Sequence, residues 1–261
     1  MMMIHPLLVA IVQGLTEAFP ISSSAHIAWL FYPNSVPKGL DAVVHMGSFF
    51  ALCLCFRSTL YDLFIGAWHT VVRKKSVQKS AFLTVLITTV PCGMVGLVCA
   101  LCHIRFDTIA VTACSMIVCG GVLYYADRRP TVQPSVHLAH IPRHHAIILG
   151  STQILALIPG VSRLGIGIIT GRLLGYSLHW SAQTSFIIGL PLMASASLVH
   201  IPHLMHAQVS WTMAGLLATV TMALNVPLVN LFLWWTQSFS MTLFALYRIG
   251  VGCMLLSKIM M

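Results

Sequence analysis

Residues 13–26 read Gln-Gly-Leu-Thr-Glu-Ala-Phe-Pro-Ile-Ser-Ser-Ser-Ala-His and place the only glutamate of the chain, Glu17, inside an otherwise apolar run. A carboxylate at membrane depth indicates a functional site. Gln13 and Glu17 are four residues apart and therefore share one helical face. Because proline cannot continue a helix, we expect one helix to end near Phe19 and a second to begin at Pro20 or just after it.

The second of these helices begins with three serines, Ser22, Ser23 and Ser24. The first backbone N–H groups of a helix lack partners, and the helix dipole favours an anion there. His26 is four residues beyond Ser22 and lies on the same face. The segment therefore predicts a phosphate-binding site with a carboxylate and an imidazole beside it.

The composition is that of an integral membrane protein. Of the 261 residues, 58% are apolar and only 7% are charged, whereas an ordinary soluble domain is about 25% charged. The net charge is +9, but the basic residues are confined to particular loops. This distribution is typical of the positive-inside rule, and it argues against binding to nucleic acid.

The first half of the chain contains one broken segment and three candidate crossings. The run from Ile4 to Tyr32 is read as a re-entrant pair of half-helices, which is tolerated at membrane depth only where it is buried in protein or lines a wet cavity. A stretch from Leu60 to Val72 has the character of an amphipathic surface helix. The predicted crossings are Asp41 to Phe56, Ser80 to Leu101 and Asp107 to Ala126.

The second half repeats this plan. Its broken segment runs from Ala146 to Leu174, contains Gln153 and is interrupted at Pro159-Gly160, after which Ser162 and Arg163 open a new half-helix. The predicted crossings that follow are Trp180 to Ile201, Trp211 to Trp235 and Ser240 to Lys258.

We therefore predict an all-α integral membrane protein, a single domain built as an inverted repeat in which each half is a re-entrant broken helix pair plus three transmembrane helices. The halves are residues 1–126 and 144–261, and residues 127–143 are a cytoplasmic connecting loop. An odd number of crossings inverts the second half, so the two broken tips can meet near the midplane. The basic loops 57–79 and 127–145 then lie on one side, which the positive-inside rule makes the cytoplasm.

Arg163 is read as the one arginine deep in the membrane and away from any loop. The planar fork of a guanidinium suits phosphate oxygens. A purely structural arginine paired with a helix end is the alternative, and for Glu17 the alternative is a protonated structural carboxylic acid.

Two motifs of the chain resemble those of the undecaprenyl-diphosphate phosphatase family, also called the bacitracin-resistance protein. The first is Gln13-xxx-Glu17 followed by Phe-Pro-Ile-Ser-Ser-Ser-Ala-His, and the second is Ile-Pro-Gly-Val-Ser-Arg further on. The resemblance covers nearly the whole chain. Asp41 to Ala51 resembles the segment after the first motif, and Ala245-Leu-Tyr-Arg248 resembles the C-terminal signature. Two motifs in the right order and at the right separation are specific.

The resemblance implies a phosphoric anhydride hydrolase of the bacterial inner membrane that removes the terminal phosphate of a polyprenyl diphosphate at the periplasmic side and so recycles the carrier of cell-wall synthesis. Mg²⁺ or Ca²⁺ is the implied cofactor, with Glu17 and Gln13 as its ligands, and a homodimer is compatible with this interpretation. The catalytic residues expected from the motifs are Glu17, Ser22, His26 and Arg163. The substrate-binding residues expected are Gln13, Ser23, Ser24, Gly160, Ser162 and Thr170.

The chain departs from the family pattern at two positions. Leu164 stands where the family usually has a second serine, and Gly167 where it usually has a threonine. Two hydroxyls that contact phosphate are therefore expected to be missing. Thr170, about one helical turn further on, is expected to substitute for them only in part.

The residue types fit phosphoryl transfer without the resemblance, because that reaction depends mainly on in-line positioning and charge neutralisation. Arg163, two helix N-termini and a divalent ion would neutralise the charge. Three nucleophiles stay open: Ser22 activated by a base, His26 through a phosphohistidine, or a water activated by Glu17.

Two other functions are compatible with parts of the sequence. Inverted repeats with broken helices are typical of carriers, so the chain could bind a lipid phosphate and move it without cleaving it. Cys99-Ala-Leu-Cys102-His103 matches the attachment motif of a c-type haem, although it lies at the end of an apolar span. The four groups Glu17, Ser22, His26 and Arg163 together exceed what binding alone requires, which favours the enzyme.

Overall fold

The computed structural model describes residues 6–31, 36–104, 106, 108–206 and 210–260. The regular structure of these residues is helical, which confirms the all-α prediction. Short 3-10 helices cover Leu138–His140 and Ile154–Leu157. The α-helices are α1 (Pro6–Thr16), α2 (Ser23–Phe31), α3 (Lys38–Cys55), α4 (Arg57–Val71), α5 (Val77–Leu101), α6 (Ile109–Asp127), α7 (Arg143–Gln153), α8 (Arg163–Leu173), α9 (Leu178–His206), α10 (Trp211–Ser238) and α11 (Thr242–Met260).

Several of these helices are long and apolar enough to cross a membrane, which confirms a multi-pass membrane protein. Among the described residues they are α5, α6, α10, α11 and the Leu178–Val199 part of α9. The predicted first crossing corresponds to α3, which meets the criterion only together with α4, and the two helices bend by 88° at their junction. Asp107, where the third crossing was predicted to begin, lies outside the described residues.

Helix pairing follows the plan of the two predicted halves. The first half-helix of one half packs against a long helix of the other: α1 on α10, and α7 on α5. Equivalent helices of the two halves also contact each other, α3 with α9 and α6 with α11. These pairings are compatible with two related halves, and both the division into halves and the inversion of one relative to the other stay predictions.

An aromatic cluster anchors the first helix break in the core. Phe19, two residues after Glu17, packs edge-on against Phe232 of α10 with ring centroids 5.8 Å apart, and it stacks on Phe244 of α11 at 5.5 Å. Phe186 of α9 contacts the same Phe232 ring at 6.1 Å. Because α10 and α11 hold the Phe19 ring and α9 supports the Phe232 ring behind it, the first break is anchored by the second half of the chain.

Arg172 anchors the other end of α8 to the connecting loop. Its buried guanidinium donates to the carbonyl oxygens of Tyr176 at 2.7 Å and Asp127 at 3.1 Å, and to that of Arg129. A further bond goes to the Thr131 hydroxyl at 2.9 Å. Hydrogen bonds from a charged donor are among the stronger ones in proteins, so these bonds fix the loop against the second broken segment.

Candidate active site

Both predicted helix breaks are present, and each ends at a serine with a left-handed backbone. The φ angles are 63° at Ser22 and 68° at Ser162, and α2 and α8 begin at the next residues. α1 ends at Thr16, three residues before the predicted Phe19, and residues 17–21 form turns in which the Phe19 N–H donates to the Thr16 carbonyl oxygen at 3.2 Å. A left-handed non-glycine residue costs about 1–2 kcal/mol. Such strain at matched positions of both breaks indicates a functional constraint.

The second break is held by close backbone contacts. Gly160 has a φ of 92°, and a Cβ at this position would lie 2.4 Å from the carbonyl oxygen of Thr112 on α6. Only glycine therefore fits there. The Ser162 hydroxyl accepts the N–H of Gly165 at 3.1 Å and caps α8. The predicted break at Pro159-Gly160 is thus a tight turn packed against α6.

Glu17 and Arg163 lie in contact across the two breaks. Nη2 of Arg163 donates to Oε1 of Glu17 at 2.5 Å. The second oxygen, Oε2, accepts the Ser23 hydroxyl at 2.6 Å and Nε2 of Gln13 at 3.0 Å. The two charged side chains are 15% and 21% exposed, respectively. The structure therefore brings together the carboxylate and the guanidinium that the two motifs supply, 146 residues apart in the chain.

These groups line a cavity of about 590 Å³ that has a polar and an apolar end. A cavity of this size is typical of a binding site for a small molecule or lipid headgroup. Its polar end is lined by Glu17, Ser22, Ser23, Ser24, Asp41, His45, Gly160, Ser162 and Arg163. Its apolar end lies between α5, the 3-10 helix Ile154–Leu157 and α9, and is lined by residues that include Gly93, Gly96, Leu97, Leu157, Leu192, Ala196 and Val199.

His26 does not line this cavity. Its ring is stacked against Tyr247 of α11, with centroids 5.6 Å apart. Nδ1 lies 2.8 Å from the Ser22 carbonyl oxygen, to which it donates, and Nε2 lies 2.7 Å from the Tyr247 hydroxyl. With both nitrogens engaged, the imidazole supports the strained Ser22 turn and α11, and it is directed away from the space beside Glu17.

Gln13 and Thr170 are also placed outside the cavity lining. Gln13 is fully buried behind Glu17, where it contacts that carboxylate through Nε2. The Thr170 hydroxyl donates to the Ile166 carbonyl oxygen at 2.8 Å and lies 2.9 Å from the Thr152 hydroxyl. The expected partial substitution by Thr170 does not match this geometry, because the hydroxyl points into the α7 and α8 contact.

The two departures from the family pattern have a packing explanation. Leu164 is buried in the main core cluster. A Cβ at Gly167 would lie 2.1 Å from Oγ of Ser185 on α9, so a threonine there would require Ser185 to move. The Ser185 hydroxyl lies 3.2 Å from the Leu164 carbonyl oxygen and 3.3 Å from that of Arg163. α9 therefore supplies a hydroxyl against the start of α8, where α8 itself has none.

Arg248 is a second arginine at depth, so the interpretation of Arg163 as the only one is wrong. Its side chain is fully buried on α11. Nη1 donates to the Pro20 carbonyl oxygen at 2.7 Å, and Nη2 donates to those of Gly160 at 2.7 Å and Val161 at 3.0 Å. One guanidinium thus connects both helix breaks. The buried role of Arg248 could have been predicted from the sequence, because an arginine inside an apolar span indicates a functional or structural site.

Asp41 and His45 are further polar residues of the cavity that the sequence did not assign to the site. Nε2 of His45 lies 3.6 Å from Oδ1 of Asp41, and Nδ1 lies 3.1 Å from Nε2 of Gln13. Asp41 and His45 are four residues apart at the start of an apolar span. Polar residues at this spacing in an apolar segment are also what identified Gln13 and Glu17. Across the described ranges, no three histidine, cysteine or acidic side chains cluster closely enough to hold a metal ion by themselves.

The chain matches known proteins over nearly its full length. Residues 6–254 match the family model described as bacitracin resistance protein BacA. A protein of Dinoroseobacter shibae named undecaprenyl-diphosphatase is 34% identical over 267 residues, which cover 98% of each chain. Proteins of the same name from Campylobacter curvus and Saccharophagus degradans are 33% and 30% identical, with 97% and 95% of each chain covered.

Proposed function

We propose the function of this chain from the premise that it belongs to the bacitracin resistance protein BacA family. The chain is an integral membrane phosphatase that hydrolyses undecaprenyl diphosphate to undecaprenyl phosphate and inorganic phosphate. This reaction regenerates the lipid carrier used in cell-wall synthesis. The observation that carries the proposal is the contact of Glu17 with Arg163 at the polar end of a cavity that continues into an apolar groove.

The shape of the cavity fits an amphipathic diphosphate. The diphosphate group is placed at the polar end, beside Arg163 and the serines that precede and open α2 and α8. The polyprenyl chain is placed along the apolar end between α5 and α9 and leaves the protein sideways into the bilayer. This division allows the diphosphate to be hydrolysed in a polar environment while the polyprenyl tail stays in a hydrocarbon environment.

Arg163 neutralises the charge that develops on the transferred phosphoryl group. One arm of its guanidinium is held by Glu17, and its other N–H groups remain for phosphate oxygens. The N-termini of α2 and α8 meet the same cavity and add backbone N–H groups and positive dipole ends. These groups are fixed before the substrate binds, which is how preorganised donors lower a barrier.

Ser23 is the nucleophile that the geometry favours. Of the three serines it alone donates to Glu17, at 2.6 Å, whereas the Ser22 hydroxyl contacts only that of Ser24. In the proposed step Glu17 takes the Ser23 proton, Oγ bonds to the terminal phosphorus, and the bond from that phosphorus to the bridging oxygen breaks. Undecaprenyl phosphate leaves with the bonding electrons. Water then attacks the phosphorus of the phosphoserine and the bond from that phosphorus to Oγ breaks. Oγ takes back the proton held by Glu17, and inorganic phosphate leaves with the protons of the attacking water.

A divalent cation, Mg²⁺ or Ca²⁺, is proposed to bind at Glu17 and Gln13. Oε1 of Gln13 is buried without a hydrogen-bond partner, and half a turn of the amide would place it beside the Glu17 carboxylate. Mg²⁺ typically takes one or two carboxylates plus phosphates of the substrate, so this set of oxygens fits. When bound, the cation supplies further neutralisation of the diphosphate charge.

The proposed function is tested with polyprenyl diphosphate that carries a labelled terminal phosphate. We expect the purified protein to release labelled phosphate and a chelator to suppress the release. Protein denatured in SDS should carry a label that survives a later acid treatment and that Ser23→Ala abolishes. An acid-labile label would indicate His26 instead of Ser23, and absence of phosphate release with intact lipid bound would favour a carrier.

The orientation in the membrane follows from the positions of the basic loops. Both basic loops, residues 57–79 and 127–145, are placed on the cytoplasmic side of the bacterial inner membrane, with the active site open to the periplasm. A membrane-impermeant thiol reagent tests this orientation through Cys102, which is exposed at the end of α5 and is predicted to face outward. Assembly as a homodimer stays a prediction.

Filling the proposed polyprenyl groove should separate long substrates from short ones. Gly93 lines the apolar end of the cavity, and a Cβ at this position would meet no atom within 4 Å. Gly93→Leu is therefore expected to fold normally and to raise the KM for undecaprenyl diphosphate about tenfold, while a diphosphate with a chain of few isoprene units is hydrolysed as before.

The matched control is Gly121→Leu. Gly121 is also in a membrane helix with open space around its Cβ, but it does not line the cavity. The Gly121→Leu variant should leave the KM values for the long and the short diphosphate unchanged. An equal loss with short and long substrates in Gly93→Leu would place the polyprenyl chain elsewhere.

A further inference from the structure

The corner between α4 and α5 is a surface that the proposed hydrolysis does not use. α4 begins at Arg57, directly after the 88° bend that follows α3, and ends at Val71. Since α3 is the predicted first crossing, a helix that bends from it by this angle is expected to run along the membrane plane. Its 15 residues span about 22 Å at 1.5 Å each.

One face of α4 is an unpartnered row of large apolar side chains. Tyr61, Phe64, Trp68 and Val71 are 67%, 75%, 61% and 74% exposed. Their spacing of three and four residues places them on one stripe of the helix. Aromatic residues of this type are enriched where a protein meets the interface of a bilayer, so the stripe is suited to insertion among lipids.

The opposite face of α4 is locked to α5. A Cβ at Gly66 would lie 2.1 Å from the carbonyl oxygen of Gln78, so only glycine permits this approach. Nδ1 of His69 lies 2.8 Å from the hydroxyl of Ser76, and the same hydroxyl caps α5 by accepting the N–H of Lys79 at 3.0 Å. The corner is therefore a rigid structure rather than a loose connection.

Three consecutive basic residues, Arg73, Lys74 and Lys75, form the turn of this corner, which we call the basic turn. All three are exposed. Arg73 has a left-handed φ of 57°, a position at the end of a helix that glycine normally occupies. The N–H of Lys74 returns to the His69 carbonyl oxygen at 2.9 Å and fixes the turn. The turn therefore presents its three positive charges from a fixed backbone.

The charge of the corner is not balanced by the protein. Residues 57–79 contain five basic residues and one acidic residue, Asp62, which gives a net charge of +4. Among the described residues, no carboxylate lies within ion-pair distance of the basic turn. A rigid, uncompensated cationic turn at the end of an aromatic stripe is complementary to an anionic headgroup above an acyl chain.

We propose that the basic turn and the α4 stripe together form a binding site for an anionic phospholipid of the bilayer. The headgroup phosphate contacts the basic turn, and the acyl chains lie against Tyr61, Phe64 and Trp68. The site is separate from the cavity that holds Glu17 and Arg163, so its occupancy is measurable without turnover.

Native mass spectrometry of the purified full chain with phosphatidylglycerol or phosphatidylcholine added tests this site. We expect about tenfold tighter binding of phosphatidylglycerol, and loss of that preference in the triple variant Arg73→Gly/Lys74→Gln/Lys75→Gln. Arg73→Gly alone should unfold at the same or a higher temperature than the wild type, because glycine relieves the left-handed strain. The unfolding temperature of the triple variant is measured as well, and a value no lower than that of the wild type shows that its lost preference does not come from misfolding.

The matched control removes three positive charges from the other basic loop: Arg128→Gln/Arg129→Gln/Arg143→Gln. This variant should keep the phosphatidylglycerol preference. An equal loss of the preference in both triple variants, or equal binding of the two lipids by the wild type, would overturn the proposal. The triple variant of the basic turn should still release phosphate from a short-chain diphosphate in detergent, so failure of the lipid site and failure of the proposed hydrolysis are distinguishable.

Discussion

Replacement of Arg163 by lysine is expected to lower the rate of phosphate release about 10³-fold, within the range seen when an arginine that stabilises a phosphoryl transition state is lost. One arm of the Arg163 guanidinium is held by Glu17 at 2.5 Å, and the residue lines the cavity. A lysine ammonium is a point charge that cannot bind the carboxylate and two phosphate oxygens with the same geometry. The loss should therefore fall mainly on kcat.

The measurement is phosphate release at saturating polyprenyl diphosphate. Arg57→Lys is the control, because Arg57 is an exposed arginine at the start of α4 and its replacement should leave the rate unchanged. Activity of Arg163→Lys within tenfold of the wild type would mean that the guanidinium does not contact the transferred group.

The second large effect is expected at Arg248. Arg248→Met leaves the carbonyl oxygens of Pro20, Gly160 and Val161 buried without their charged donor. Each buried group left unpaired costs about 1–3 kcal/mol, so we expect a loss of roughly 3 kcal/mol or more in the free energy of unfolding. Because the same carbonyls belong to both helix breaks, kcat should fall about 100-fold even in the folded fraction.

Arg248→Lys separates positioning from charge. A lysine keeps the buried positive charge but presents one ammonium where the arginine presents two arms, so it should recover part of the stability and little of kcat. Unfolding in detergent and phosphate release are measured on the same samples. Full recovery of kcat by lysine, with KM unchanged, would show that Arg248 acts only through its charge and does not position the breaks.

Much of the fold and the centre of the site follow from local signals in the sequence. Proline and glycine interrupt helices by their own stereochemistry, so both breaks are readable at Pro20 and at Pro159-Gly160. A carboxylate and a guanidinium within apolar segments indicate function because charges at that depth are costly. These two rules predicted that the broken tips meet and bring Glu17 and His26 within reach of Arg163; the direct contact of Glu17 with Arg163 is a finding of the structure.

The remaining features depend on contacts between distant parts of the chain. Arg248 binds Pro20, which is 228 residues away, and no local pattern shows that partner. The choice of Ser23 over Ser22 depends on which hydroxyl faces Glu17, and this is set by the strained turn at Ser22. The position of His26 outside the cavity lining depends likewise on Tyr247, 221 residues away.

The departures at Leu164 and Gly167 show the same limit. From the sequence alone, each position lacks a hydroxyl that the family usually has. In the folded chain the space beside Gly167 is filled by Ser185 of α9, and Leu164 belongs to the core. A substitution relative to the family can therefore be interpreted only together with the residue that packs against it.

The central claim is that two broken helices, from opposite halves of the chain, bring Glu17 and Arg163 into contact. The most direct test replaces both by cysteine in a chain whose eight native cysteines are removed, and treats membranes with a short bifunctional thiol reagent. Replacing both partners avoids leaving one buried charge uncompensated. Peptide mass spectrometry should find the two positions cross-linked, and a Glu17→Cys/Trp68→Cys pair, with residue 68 on the exposed face of α4, should stay unlinked. Absence of the first cross-link in a folded protein would contradict this account.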